Sequence, residues 1–152
     1  VASNSKTHEL WNILFIKKII DCMADGVFTM DTSGNITSWN PAMERISGYS
    51  SAEALGKTCQ LLQCSRCFGK NCPANIQKCR ILEQRASEIK ECQVRHKDGH
   101  DVDVIKNAAV VRDDRGAILG VVETITDLTE LVHARKRAQE AFLRLGELHQ
   151  MD

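Results

Sequence analysis

The sequence carries no excess charge of either sign, since 20 Lys and Arg are matched by 20 Asp and Glu. A neutral chain has no basic field with which to attract polyphosphate or an anionic membrane, so direct nucleic-acid binding is not expected. Long apolar runs are also missing. A bilayer span needs about 20 consecutive apolar residues, and the greasiest stretch, LWNILFIKKII from Leu10 to Ile20, is cut by Lys17 and Lys18. No small-residue cleavage site follows it, so it does not read as a signal peptide. The expected location is cytoplasmic, with no membrane insertion by this segment. Enzyme signatures are absent too: there is no Ser/His/Asp set, phosphate loop or paired carboxylate in a recognisable setting, which points away from catalysis. With 152 residues, 43% of them apolar, the chain suits one domain of ordinary size.

Cysteine is what the sequence has in quantity. Five of seven fall in GKTCQLLQCSRCFGKNCPANIQKC, at Cys59, Cys64, Cys67, Cys72 and Cys79. In a reducing compartment such clusters more often bind metal or do redox chemistry than form structural disulfides. Only Cys64 and Cys67 show the two-residue gap of a metal knuckle. Gly69 and Asn71 lie between the third and fourth cysteines, where a chain folding tightly about a centre needs them, and Cys72 directly precedes Pro73. Cys22 and Cys92 stand outside the cluster, and burial is the default expectation for both.

The hydrophobic pattern gives an α+β order. THELWNILFIKKIIDCMA, residues 7–24, carries apolar positions on two adjoining helix faces. GVFTMDTSGNITSW reads as a hairpin with strands near 27–31 and 36–39. Asn40 is a candidate N-cap with Pro41 at the first helical position. Ser50 or Ser51 opens a second short helix, and Pro73 starts another through PANIQKCRILEQ. From Ser87 three β-rich runs, parted by the turns KDG and DDRG, predict an antiparallel meander that the hairpin extends to five strands. Alternation along the first run puts Cys92 on the same face as Val94. Asp127 followed by Glu130 fits a capping box, and Leu131, Ala134, Ala138, Ala141, Leu145 and Leu148 then form a heptad seam. The seam suits a second copy of the chain, or else the chain's own sheet.

This order, and above all the phrase WNPAMERISGYS, resembles a PAS domain across about residues 18 to 131. The resemblance implies a PAS fold: a five-stranded antiparallel sheet, short helices on one face, and flanking N- and C-terminal helices. It implies a sensory module that is not itself an enzyme. The corresponding division is a flanking helix over 1–24, the sensor over 25–129 with its cysteine-rich loop at 59–79, and a signalling helix over 130–152. It further implies a homodimer through the terminal helices and an effector in the same polypeptide, a histidine kinase or transcription activator. Asp127-Leu128-Thr129 looks like the family's closing Asp-Ile-Thr, from which the output helix emerges.

Three pocket chemistries follow from that likeness. Haem is disfavoured, because residues 74–84, where the family places its ligand, contain no His. Flavin is suggested by GKTCQLLQ, which resembles the light-sensing LOV signature at Gly56, Cys59, Leu62 and Gln63. Gln60 stands where the phosphate-gripping arginine belongs, however, and Val104 and Ile125 stand where the polar partners of the flavin edge are expected. A flavin would lose about 1 to 3 kcal/mol for each such partner left unmade. The favoured centre is an iron–sulfur cluster or zinc held by Cys64, Cys67, Cys72 and Cys79, with Cys59 as a substitute ligand. Metal-free thiol oxidation, inert packing of the cysteines and a small organic ligand are the alternatives. His96 and His100 flank the KDG turn as exposed polar residues.

Overall fold

A computed structural model describes residues 2–65 and 88–150. Its centre is a five-stranded antiparallel sheet in the order β2-β1-β5-β4-β3. The strands are β1 (Gly26–Met30), β2 (Ile36–Trp39), β3 (Glu88–Arg95), β4 (Asp101–Arg112) and β5 (Ile118–Asp127). The helices are α1 (Ala2–Cys22), α2 (Pro41–Ser47), α3 (Ser51–Ala54) and α4 (Thr129–His149), with a 3-10 turn at Cys59–Leu62. The expected α+β architecture is therefore present.

Strand alternation decides which side chains go inward, because successive residues on a strand point to opposite faces. Phe28 and Met30, Val102 and Val104, Val121 and Ile125 are all buried on one face. Phe28 pairs with Glu123, Cys92 with Val104 and Val94 with Val102, which puts the three meander strands and β1 in one register. Met43 and Ile46 of α2 and Leu62 of the 3-10 turn complete this core. Gly120 allows β5 to approach the β1 end closely, since a Cβ there would lie 2.3 Å from the Met30 carbonyl oxygen.

Local signals in the sequence account for the short helices. Asn40 Oδ1 accepts from the Met43 N–H at 3.0 Å, and Pro41 takes the first helical position. Gly48 ends α2 in the left-handed region at φ 77°, which a residue without Cβ enters without strain. Ser50 and Glu53 form a reciprocal capping box on α3.

Three expectations need correction. The N-terminal helix runs from Ala2 within the expected 1–24, but it does not cover its own domain with an apolar face: both faces lie open, with Leu10 and Trp11 each 58% exposed. Cys22, at the end of this uncovered helix, is exposed rather than buried. The capping box expected at Asp127 does not form. Leu128 occupies the N-cap position, and the Asp127 carboxylate instead accepts from the Thr129 N–H at 2.8 Å, closing a turn one residue earlier. The helix expected from Pro73 lies outside the described residues.

Candidate functional site

The inner face of the sheet meets the start of the cysteine-rich loop at its β3 edge. After α3 the chain makes the 3-10 turn Cys59–Leu62, and Gln63 leaves it in the left-handed region at φ 42°. Ser65 then docks on β3: its N–H donates to the Gln93 carbonyl at 2.9 Å, and its hydroxyl accepts from the Gln93 N–H at 3.0 Å. These bonds fix where Cys64 lies.

Cys64 Sγ is 3.2 Å from Cys92 Sγ, the thiol of one donating to the other. Cys92 is 6% exposed and projects inward beside Val94, as the alternation of β3 requires, while Cys64 is half-buried against the core. Cys59 also packs against this core from the first residue of the 3-10 turn. Cys67, Cys72 and Cys79 lie outside the described residues. The tertiary structure thus joins one expected ligand, Cys64, to a thiol that sequence spacing had set apart. The two sit 28 residues from each other in the chain, and the docking of Ser65 on β3 sets them side by side.

A second polar feature sits on the same face. Lys106 and Glu123 have side chains only 7% and 2% exposed and form an ion pair at 3.0 Å. Burial pushes the Glu123 carboxyl above its ordinary value, opposed by the Lys106 ammonium beside it. Ala108 faces Glu123 and Lys106 faces Ile125 across the β4–β5 ladder, so the ion pair runs along the diagonal. These residues were not singled out from the sequence. A signal existed, because Lys106 falls in the inward period with Val102, Val104 and Ala108, and Glu123 falls in it with Val121 and Ile125. Charged residues at positions that alternation assigns to the core are the ones to question.

The positions expected to decide on flavin are also visible. Val104 and Ile125 both point into the core with no exposure. They offer no hydrogen bond to a flavin edge there.

At the hairpin between β3 and β4, His96, Asp98 and His100 converge on the exposed turn. Beyond the sheet, α4 has no buried residue, and its apolar side chains Leu131, Leu145 and Leu148 are each at least 60% exposed. The seam therefore does not lie on the chain's own sheet. Among the described residues, no helix is long and apolar enough to cross a membrane.

Comparison with known proteins bears on this arrangement. The family model described as "PAS domain" matches residues 24–130. The chain is 28% identical over 134 residues to the signal transduction histidine-protein kinase AtoS of Escherichia coli (strain K12), covering 86% of this chain and 21% of that protein. The chain thus spans about a fifth of its relative's length. Among solved structures, it is similar to a PAS domain from Colwellia psychrerythraea, with a TM-score of 0.63 and 21% identity, covering 78% of this chain and 98% of that one. It is also similar to an RNA-binding Light-Oxygen-Voltage receptor, with a TM-score of 0.66 and 23% identity, covering 96% of this chain and 40% of that one. At these identities the structural likeness concerns the fold.

Proposed function

The chain belongs to the PAS-domain family, the sensory modules of signalling proteins, and we propose that it is the cytoplasmic input domain of a longer protein that reads redox state, oxygen or metal through cysteine thiols. The observation that supports this reading is the contact of Cys64 with Cys92, 3.2 Å between sulfurs, at the edge of the inner face. Thiols around zinc stand roughly 3.8 Å apart, given Zn–S distances of about 2.3 Å in a tetrahedron. At 3.2 Å the pair is a thiol–thiol hydrogen bond, shorter than that spacing, so one ion would part the two sulfurs slightly; their soft donors suit zinc or an iron–sulfur cluster. With Cys64 and Cys92 as two of four ligands, two of Cys67, Cys72 and Cys79 would supply the others from the loop, with Cys59 as a substitute. Such a group would supply either a one-electron couple or a rigid clip. The protein's part is to tether the loop to β3 through Ser65 and to shield one thiol, Cys92, from water.

The route to the effector runs through the termini. The sheet strand β5 passes into α4 at Asp127–Thr129, and α1 is held to the core by Asn40, whose side-chain N–H groups donate to the Ile20 and Asp25 carbonyls at 3.1 and 3.0 Å. A centre that binds two helix arrangements unequally shifts their populations by its differential affinity. The open faces of α1 and α4 serve a homodimer in this reading, and an effector of histidine-kinase type follows in the same polypeptide. Sedimentation equilibrium is expected to show a dimer. Leu145→Glu is expected to weaken it at least tenfold without loss of the fold, because that side chain is 60% exposed in the single chain. A monomeric parent would overturn the dimer.

One observation favours a second reading, a small organic ligand in place of a metal centre. The ion pair of Lys106 and Glu123 puts two charged groups on an otherwise apolar inner face, where a polar ligand could be recognised. One preparation distinguishes the two. Protein purified without oxygen and analysed for iron, acid-labile sulfide and zinc is expected to hold a metal, and Cys64→Ser is expected to remove most of it. Protein without metal that releases an organic compound on denaturation would favour the second reading and overturn the first.

A further inference from the structure

The turn between β3 and β4, sequence RHKDGHD, is remote in character from the cysteine site: it is exposed, has no thiol, and collects nitrogen and oxygen donors. His96, Asp98 and His100 alternate along a tight turn in which Gly99 adopts φ 99°, and this spacing turns three donor side chains to one side. One ligand atom from each lies within 4.8 Å of the others. The Asp98 carboxylate is the hub. Its Oδ1 is 3.1 Å from His96 Nδ1, is hydrogen-bonded to His100 Nδ1, and accepts the His100 N–H at 3.0 Å.

Two features show that the arrangement is held in place. The Asp98 N–H donates to His96 Nδ1 at 3.1 Å, so that nitrogen carries its lone pair toward the turn rather than a proton. The His96 ring also lies against Gly48, where an added Cβ would stand 2.6 Å from Nε2 and 2.4 Å from Cε1. Only glycine at the end of α2 permits that position. The second imidazole stacks on the first, with ring centroids 4.5 Å apart and planes at 24°.

From this geometry we infer that His96, Asp98 and His100 bind a divalent transition-metal ion of the zinc, cobalt or nickel class. Two imidazoles and a carboxylate satisfy such an ion at about 2.0 to 2.2 Å per bond, leaving the other positions to water. For both Nδ1 atoms to bind the ion, a proton on His100 Nδ1 passes to water or to its Nε2, and the Asp98 N–H exchanges His96 Nδ1 for solvent. The site is also mechanically placed. The Lys97 N–H donates to the Ser47 carbonyl at 2.8 Å, and the Lys97 ammonium pairs with Glu53 of α3. An ion that stiffens the turn therefore stiffens its attachment to the α2–α3 junction, which covers the inner face of the sheet.

The test is titration of Co2+ into the whole chain prepared without oxygen, because cobalt reports its donors. Bound by thiolates it shows sulfur-to-metal charge transfer, and bound by imidazole and carboxylate it shows only ligand-field bands. We expect one equivalent of Co2+ without the charge-transfer signature. Its paramagnetism should broaden the imidazole resonances of His96 and His100. In His100→Ala, whose side chain is 59% exposed in the parent, that equivalent is lost, and in Asp98→Asn its affinity falls at least tenfold. Circular dichroism checks that both variants keep the fold. Equal Co2+ binding by His100→Ala and the parent, or cobalt bound with thiolate bands alone, would overturn the inference.

Discussion

Lys106→Met is expected to destabilise the domain by about 3 to 5 kcal/mol, because it leaves the Glu123 carboxylate uncompensated on the inner face of the sheet. The loss is not the worth of the contact. It is the cost of keeping a charge out of water, and the carboxyl side chain is only 2% exposed. The double substitution Lys106→Met with Glu123→Leu should therefore recover most of that loss, since paired replacement of a buried ion pair by apolar residues is often neutral or stabilising. Urea denaturation of the three proteins provides the measurement. A single variant as stable as the parent would show that Glu123 reaches water in the native state.

The pH dependence gives the same argument a second handle. Glu123 has a folded pKa raised above its ordinary 4.5, with burial the larger influence and Lys106 working against it. The folded state therefore binds the proton more readily than the unfolded state. By linkage, the contribution of this group to stability falls as pH rises from the unfolded value through the raised folded one. Removing Lys106 takes away the opposing charge and pushes that window further up. The penalty in Lys106→Met should accordingly be largest near neutrality and shrink in acid, where Glu123 is protonated. A penalty equal at all pH values would point to packing rather than charge.

Asn40→Ala is expected to cost about 2 to 4 kcal/mol, combining a lost N-cap of typically about 1 kcal/mol with a buried donor left unpaired at about 1 to 3 kcal/mol. The side chain is 3% exposed and fully engaged. Its Oδ1 accepts from Val27 at 2.9 Å and from Met43 at 3.0 Å, while its Nδ2 donates to Ile20 and Asp25. One residue thus caps α2, pairs with β1 and holds the end of α1. Asn40→Ser separates these roles. A serine restores the cap and about 1 kcal/mol with it, but its shorter side chain does not reach Ile20 or Asp25. Amide exchange at the end of α1 should therefore quicken in both variants, whereas α2 is protected again only in the serine form. A stability change under 0.5 kcal/mol in Asn40→Ala would overturn this account.

Much of the fold could be read from short-range chemistry. The N-cap at Asn40, the cap at Ser50, one of the two serines expected to open α3, and the turns KDG and DDRG are each settled within four residues, and they form where expected. Alternation was equally informative on the strands, and it correctly put Cys92 beside Val94. The terminal elements were less legible. Asp127 and Glu130 have the spacing of a capping box, but the strand runs to Asp127 and its carboxylate is used in the turn. Cys22 was expected inside because it falls in a helix outside the cysteine-rich loop. A helix whose apolar faces remain open gives it nothing to pack against.

The candidate site divides in the same way. The clustering of five cysteines between 59 and 79 was plain in the sequence, and so was their separation from Cys22 and Cys92. What the chain alone determined was the set of available donors, the alternation that buries Cys92 and the caps that start each short helix, all of which depend on neighbours a few residues apart. Only the tertiary structure decided that Cys64 meets Cys92, that Lys106 meets Glu123 and that Gly48 receives the ring of His96. Each of these contacts joins different elements, and its geometry depends on sheet register and chain docking, which no local spacing encodes.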